Sequence, residues 1–297
     1  MHTHTEPENT ELLTPLWGEP LSAPAKLNLF LHVTGRRPDG YHLLQTLFRF
    51  IDFADSLVFL PRKDGEIVLE SSLPHVPPEK NLVVRAARLL REKTGVRDGV
   101  SIRLSKHLPS GGGLGGGSSD AATTLLALNH LWQTGLSRPE LQALGLALGA
   151  DVPVFLFGQN AFAEGVGERL TPVALPPVWY LLLFPPVESD TAAVYQAPNL
   201  RRDTPPMRIE DWKADTGGDF GHNDLEPVAT LLYPAIGEHL AWLRERVGEA
   251  KSRMSGSGST VFAECPDEKA AEALAHQLPS HWKWRIARGL SRHPLLF

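Results

Sequence analysis

The residues with the plainest chemical use lie in Pro109-Ser-Gly-Gly-Gly-Leu-Gly-Gly-Gly-Ser-Ser-Asp-Ala-Ala122, where glycine fills every position from 111 to 117 except Leu114. Without side chains the backbone can bend sharply and bring several N–H groups close to an anion. The tract runs into the apolar stretch from Ala121 to Trp132, which predicts a helix with Ser119 and Asp120 supplying the N-cap. The free N–H groups and positive dipole end of such a helix favour phosphate. An alternating strand before the tract and a helix after it make this a phosphate cradle and not a flexible linker.

Three other glycine-loop chemistries fit less well. A Walker A loop needs a lysine after its last glycine, and here Gly117 is followed by Ser118-Ser119. Gly111, Gly113 and Gly116 satisfy G-x-G-x-x-G, but the dinucleotide fingerprint follows a strand buried on both faces, and Val100-Ser-Ile-Arg-Leu-Ser-Lys106 is half polar. Asp219-Phe220-Gly221 matches the metal-binding triplet of protein kinases, yet no H-R-D loop precedes it and no V-A-I-K strand exists.

The elements that must position the cradle follow from periodicity. Residues 23–33 place Ala23, Ala25, Leu27, Leu29 and Leu31 on one face and Lys26, Asn28 and Phe30 on the other, predicting a half-buried strand. Further strands are expected over 47–60 and from Val100 to Ser105. A helix is expected from Asn81 to a stop at Gly95, and another from the capping box Ser137-Arg-Pro-Glu140 to about Gly149. Asp151 then opens a new element, with the chemistry of a plain N-cap carboxylate.

Prolines gather after about residue 170 around the apolar strand Trp179–Phe184, so we expect two domains, 1–170 and 171–297. The second should hold a loop over 198–222, helical stretches from about 223 to 248, a strand from Thr260, a helix over 267–277 and a last strand near 282–286. Alternating, partly exposed strands mixed with helices predict an α+β fold.

Composition narrows the function. A net charge of -5 without clustered basic residues excludes nucleic acid as a partner. No stretch approaches the roughly 20 apolar residues of a membrane span, and Met1 to Pro7 does not read as a secretory signal. The lone Cys265 cannot form an internal disulfide, which suits a reducing cytoplasm. His2 and His4 read as solvated residues of an acidic arm.

The tract resembles the central ATP motif of the GHMP kinase superfamily, and two further motifs resemble its others in order: Pro24-Ala-Lys-Leu-Asn-Leu29 and Met254-Ser-Gly-Ser-Gly-Ser-Thr-Val-Phe262. Narrower segments are similar to the members that phosphorylate a cytidine-diphosphate-linked sugar alcohol on the way to isoprenoid precursors: Arg37 to Phe48, Gly149 to Phe155, Ala163 to Glu168 and Asn223 to Glu226. The resemblance runs from about Pro20 to near the end. It implies a two-domain GHMP kinase fold, with an N-terminal ATP-binding domain of the ribosomal protein S5 domain 2-like type and a ferredoxin-like C-terminal domain.

The resemblance also implies roles. Asp151 becomes the group that accepts the hydroxyl proton, and Lys26, otherwise a solvated strand lysine, becomes its partner beside the γ-phosphate. ATP is expected along Pro109, Gly111, Gly112, Gly113, Leu114, Gly115, Gly116, Gly117, Ser118 and Ser119, with Lys106 near phosphate and Asn81 near adenine. Tyr41 and His42, otherwise a surface pair after a turn, would meet cytosine with Tyr195 and Thr191, while Asn28 and Asp151 face the sugar alcohol. Mg2+ is expected with ATP, without an evident ligand pair. Kinases of the mevalonate or homoserine type, a non-catalytic nucleotide-binding module and an NAD oxidoreductase remain as alternatives.

Overall fold

In the computed structural model, which describes residues 16–71, 76–211 and 221–295, β1 (Pro20–Arg36) turns back into β2 (His42–Arg62). His2, His4, Asp219 and Phe220 lie outside the described residues. The turn closes when the Arg37 N–H donates to the Tyr41 carbonyl at 2.7 Å, and Gly40 supplies a φ of +93° there.

β1 is not the half-buried strand its alternation predicts. Lys26 and Asn28 are 2% and 3% exposed, because the glycine tract and the turn at 255–260 lie against their side of the strand. The β1–β2 ladder shifts register between Pro24 and Ala25 and again between Asn28 and Leu31. Such bulges bend a strand and re-aim its side chains, so the segment bearing Lys26 and Asn28 is set between two of them.

The first sheet adds β3 (Ile67–Ser71), β4 (Gly99–Ser105), β5 (Ala161–Glu164) and β6 (Arg169–Pro172), in the order β3-β4-β2-β5-β6 with β1 also paired to β2. Only β3 and β4 run parallel. Helices α1 (Leu82–Thr94), α2 (Gly116–Leu131), α3 (Arg138–Leu148) and α4 (Val152–Phe157) form its core with the sheet, through residues such as Phe50, Phe59, Leu90, Ile102, Leu125 and Phe155. Each such side chain contributes about 1.5–3 kcal/mol by leaving water. The local signals hold here: Asn81 accepts from the Val83 N–H at α1, Gly95 ends it at φ +74°, and Glu140 returns to the Ser137 N–H at 2.8 Å.

A division at 170/171 falls inside β6, and the chain crosses to the second sheet over residues 173–178. That sheet contains β7 (Trp179–Phe184), β8 (Ser252–Met254), β9 (Val261–Cys265) and β10 (Lys283–Arg288), ordered β10-β7-β9-β8 and antiparallel throughout. With α5 (Thr191–Gln196), α6 (Glu226–Leu232) and α7 (Pro234–Val247) between β7 and β8, and α8 (Glu268–Ala275) between β9 and β10, this is the β-α-β-β-α-β arrangement of a ferredoxin-like domain. The helical stretches expected over 223–248 are α6 and α7, which part at Tyr233, whose ψ of +82° is the extended geometry imposed by the following Pro234. Ala25, Leu27 and Ile51 of the first sheet share a core with Tyr180, Leu182 and Phe262 of the second.

Candidate active site

The glycine tract is held open by the turn between β8 and β9. Ser259 N–H donates to Gly111 O at 3.1 Å, Thr260 N–H to Gly112 O at 3.2 Å, Ser255 Oγ to Gly113 O at 2.8 Å, and Lys26 N–H to Leu114 O at 3.0 Å. Four consecutive carbonyls are thereby engaged with protein. Gly113 has a φ of +69°, and a Cβ there would sit 2.1 Å from the Ser255 carbonyl oxygen, so only glycine fits.

The helix starts earlier than its polar residues suggested. α2 begins at Gly116 with Gly115 at φ +70° as N-cap and no side chain capping it. Its first-turn N–H groups, Gly116 to Ser118, have no intrahelical acceptor. Ser119 is therefore no cap and no phosphate ligand. It is fully buried inside the helix, with its N–H donating to Gly115 O and its hydroxyl to Pro24 O at 2.7 Å. Local sequence favours serine as a cap, but the left-handed Gly115 lets the helix begin one turn sooner.

A cavity of about 610 Å³ lies along this loop, and its lining includes Lys26, Asn28, Asn81, Lys106, Pro109, Gly111 to Ser118, Asp151, Thr191 and Tyr195. Tyr41, His42 and Ser119 are not in its wall. Asp151 stands at the N-cap position of α4 but its carboxylate caps nothing. Instead Oδ2 lies 3.5 Å from Lys26 Nζ, which also donates to Asn28 Oδ1 at 2.5 Å and Gly113 O at 2.9 Å. Asn28 Nδ2 donates to Thr46 Oγ1 at 2.8 Å, which orients the amide with its oxygen toward the lysine. A buried ammonium needs such partners, and here it gains two hydrogen bonds and an ion pair.

Lys106 is less free for a nucleotide than expected. Its Nζ is paired with Asp55 and lies 2.7 Å from Asp120 Oδ2. Asp55 also accepts the N–H groups of His107, at 2.6 Å, and Leu108, at 2.9 Å, tying the start of the tract to β2. Burial, opposed by Lys106, pushes the Asp120 carboxyl up to about 7. Asp55 gave no signal in the sequence, and Asp120 was legible only as a helix cap. Among the described residues no group of three acidic, histidine or cysteine side chains could hold a metal. Asp120 Oδ1, buried and without a hydrogen-bond partner at the cavity wall, fits an ion that keeps most of its waters and arrives with a phosphate.

At the far end of the cavity, Tyr195 of α5 meets His42 of β2 with ring centroids 5.1 Å apart. Thr191 Oγ1 is 2.8 Å from Ser257 Oγ, which joins α5 to the 255–260 turn. Tyr41, 63% exposed, stands outside this pair. Asn81 keeps its side-chain oxygen for the α1 cap while lining the cavity. No described helix is long and apolar enough to cross a membrane.

The chain matches the model of the GHMP kinases N terminal domain over residues 81–159 and that of the GHMP kinases C terminal over residues 211–283. A relative from Dechloromonas aromatica, named 4-diphosphocytidyl-2-C-methyl-D-erythritol kinase, is 58% identical over 92% of this chain and 97% of its own. A relative of the same name from Thiobacillus denitrificans is 57% identical over 92% of this chain and 96% of its own. A crystal structure of 4-(cytidine 5'-diphospho)-2C-methyl-D-erythritol kinase is 40% identical, superposes with a TM-score of 0.78, and covers 91% of this chain and 99% of that one. A homoserine kinase from Cytophaga hutchinsonii shares the fold at 17% identity, with a TM-score of 0.72, over 95% of this chain and 97% of its own.

Proposed function

Because the chain belongs to the 4-diphosphocytidyl-2-C-methyl-D-erythritol kinase family of GHMP kinases, we propose that it transfers the γ-phosphoryl group of ATP to the 2-hydroxyl of 4-diphosphocytidyl-2-C-methyl-D-erythritol, a step toward isoprenoid precursors in the cytoplasm. The observation that carries this reading is the position of Lys26, whose one ammonium touches both the phosphate-cradle carbonyl of Gly113 and the carboxylate of Asp151. A site that brings a triphosphate and a base together needs such a junction.

In this reading residues to about 170 bind ATP and those from 171 complete the substrate pocket. The N–H groups of Gly116 to Ser118 receive phosphate oxygens, favoured by the positive end of α2. Asp151 accepts the proton of the attacking hydroxyl, and Lys26 stabilises charge on the transferring phosphoryl group while keeping Asp151 ionised. Asn28, fixed by Thr46, orients the sugar alcohol. His42 and Tyr195 hold cytosine by stacking and edge contact, with Thr191 beside them. Magnesium arriving with ATP would supply charge neutralisation at the phosphates, and Asp120, whose buried Oδ1 lacks a hydrogen-bond partner at the cavity wall, would be the carboxylate that holds it.

Phosphorus NMR of ATP incubated with the cytidine compound tests the assignment. ADP and a new phosphomonoester are expected, with mevalonate and homoserine giving far less product. Faster turnover of either, or no product from the cytidine compound, overturns it.

A further inference from the structure

Arg202, in the segment after α5, has no part in the chemistry above, yet four of its five guanidinium N–H groups are committed. Nη1 donates to Leu200 O at 2.9 Å, and Nη2 to Tyr195 O at 3.0 Å and Ala197 O at 2.8 Å, which fixes the plane of the fork at the end of α5. Nε is then aimed at His42 Nε2, 3.1 Å away across the two domains.

Arginine is always protonated and can only donate, so the nitrogen that faces it must present a lone pair. A proton on Nε2 would point at the guanidinium. The neutral ring must therefore carry its one proton on Nδ1, because the partner of one ring nitrogen decides the state of the other. Burial, followed by the charges of Arg202 and Arg36, lowers the His42 pKa and keeps the ring neutral. Among the described residues Nδ1 has no partner, and the ring lies against Tyr195, which lines the cavity.

We propose that Arg202 is a positioning residue that locks His42 as its Nδ1–H tautomer, and that this lock makes the site choose cytosine over uracil. The proposal rests on the cytidine substrate proposed above. Cytosine offers an acceptor at N3, which a fixed N–H donor can meet. Uracil carries N–H at N3, so two donors would face each other and one would be left unpaired on binding. Sites with committed donors reject an analogue that lacks the matching acceptor far more strongly than apolar pockets reject a missing methyl.

Nitrogen NMR of histidine-labelled protein reads the tautomer directly. The His42 shifts should show a protonated Nδ1 in the unaltered protein and a mixture in Arg202→Met. Turnover of the cytidine compound and its uridine analogue reads selectivity: Arg202→Met should lower the ratio of their kcat/KM values about tenfold, the equivalent of one modest hydrogen bond. In a His42→Gln background the same substitution should change the ratio no further. Should Arg202→Met unfold, Arg202→Lys keeps a donor for the helix-end carbonyls and is read in the same way. An unchanged tautomer and ratio, or unaltered protein that uses both bases equally, overturns the proposal. No turnover of the cytidine compound overturns the substrate reading instead, and the nitrogen shifts still decide the tautomer.

Discussion

The ammonium of Lys26 and the carboxylate of Asp151 stand 3.5 Å apart, one from the middle of a strand and the other from the N-cap position of a short helix. Since Asp151 caps nothing, its amide should fold like the acid. Asp151→Asn should lower turnover about 10²–10⁴-fold, the usual contribution of a positioned base, with ATP affinity and melting temperature little changed. Steady-state kinetics beside a thermal melt check this. A variant that retains most of its turnover removes Asp151 from the role of base.

Gly113→Ala tests the cradle. The added methyl meets Ser255 O and the residue must hold φ +69°, so the tract has to part from the 255–260 turn. Overpacking of this kind costs about 1–3 kcal/mol, and the left-handed backbone a further 1–2 kcal/mol or so. Calorimetric ATP titration should show weakened binding together with a lower melting temperature. Unaltered ATP binding would mean that the loop is not the phosphate site.

Lys106→Met leaves Asp55 and Asp120 facing each other without a cation. Removing one partner of a buried ionic cluster costs about 3–5 kcal/mol. The loss should be greatest above about pH 7, where Asp120 is ionised, and smaller in mild acid, where it takes a proton. Urea unfolding at the two pH values checks the sign, and an equal loss at both contradicts it.

Acid should weaken the fold through two other groups. Burial, with His222 as the next cause, lowers the His32 pKa to about 4; burial, with Arg138, lowers that of His293 to about 3. Both titrate near 6.5 when unfolded, so below that pH the unfolded chain binds more protons. Their stability is fully present above about 6.5 and is lost as the pH falls toward the folded values. Each should account for about 2 kcal/mol between neutral pH and pH ~5. His293→Gln should flatten part of that slope in urea midpoints, and a slope unaffected by the substitution would show that His293 does not drive it.

Much of the candidate site could be read from local pattern. Glycines at 111–117 with a strand before and a helix after describe a backbone conformation, and the steric freedom of glycine needs no distant partner. The α3 capping box and the apolar strand β7 are local in the same sense. Position 26 was different. By pattern it is an exposed strand lysine, and it is buried because Gly113 and Asp151 come from elsewhere to receive it.

The amino-acid sequence alone determined the glycine loop, the strand before it and the helix after it and, through its motifs, the family. Tertiary structure alone decided that Asp55 and Asp120 share Lys106, that Ser119 turns inward to Pro24, and that Arg202 reaches His42. The reason is physical. Backbone bends and caps follow from neighbours along the chain, whereas the fate of a charge depends on what packs over it, and the packing residues come from the other sheet or from remote turns.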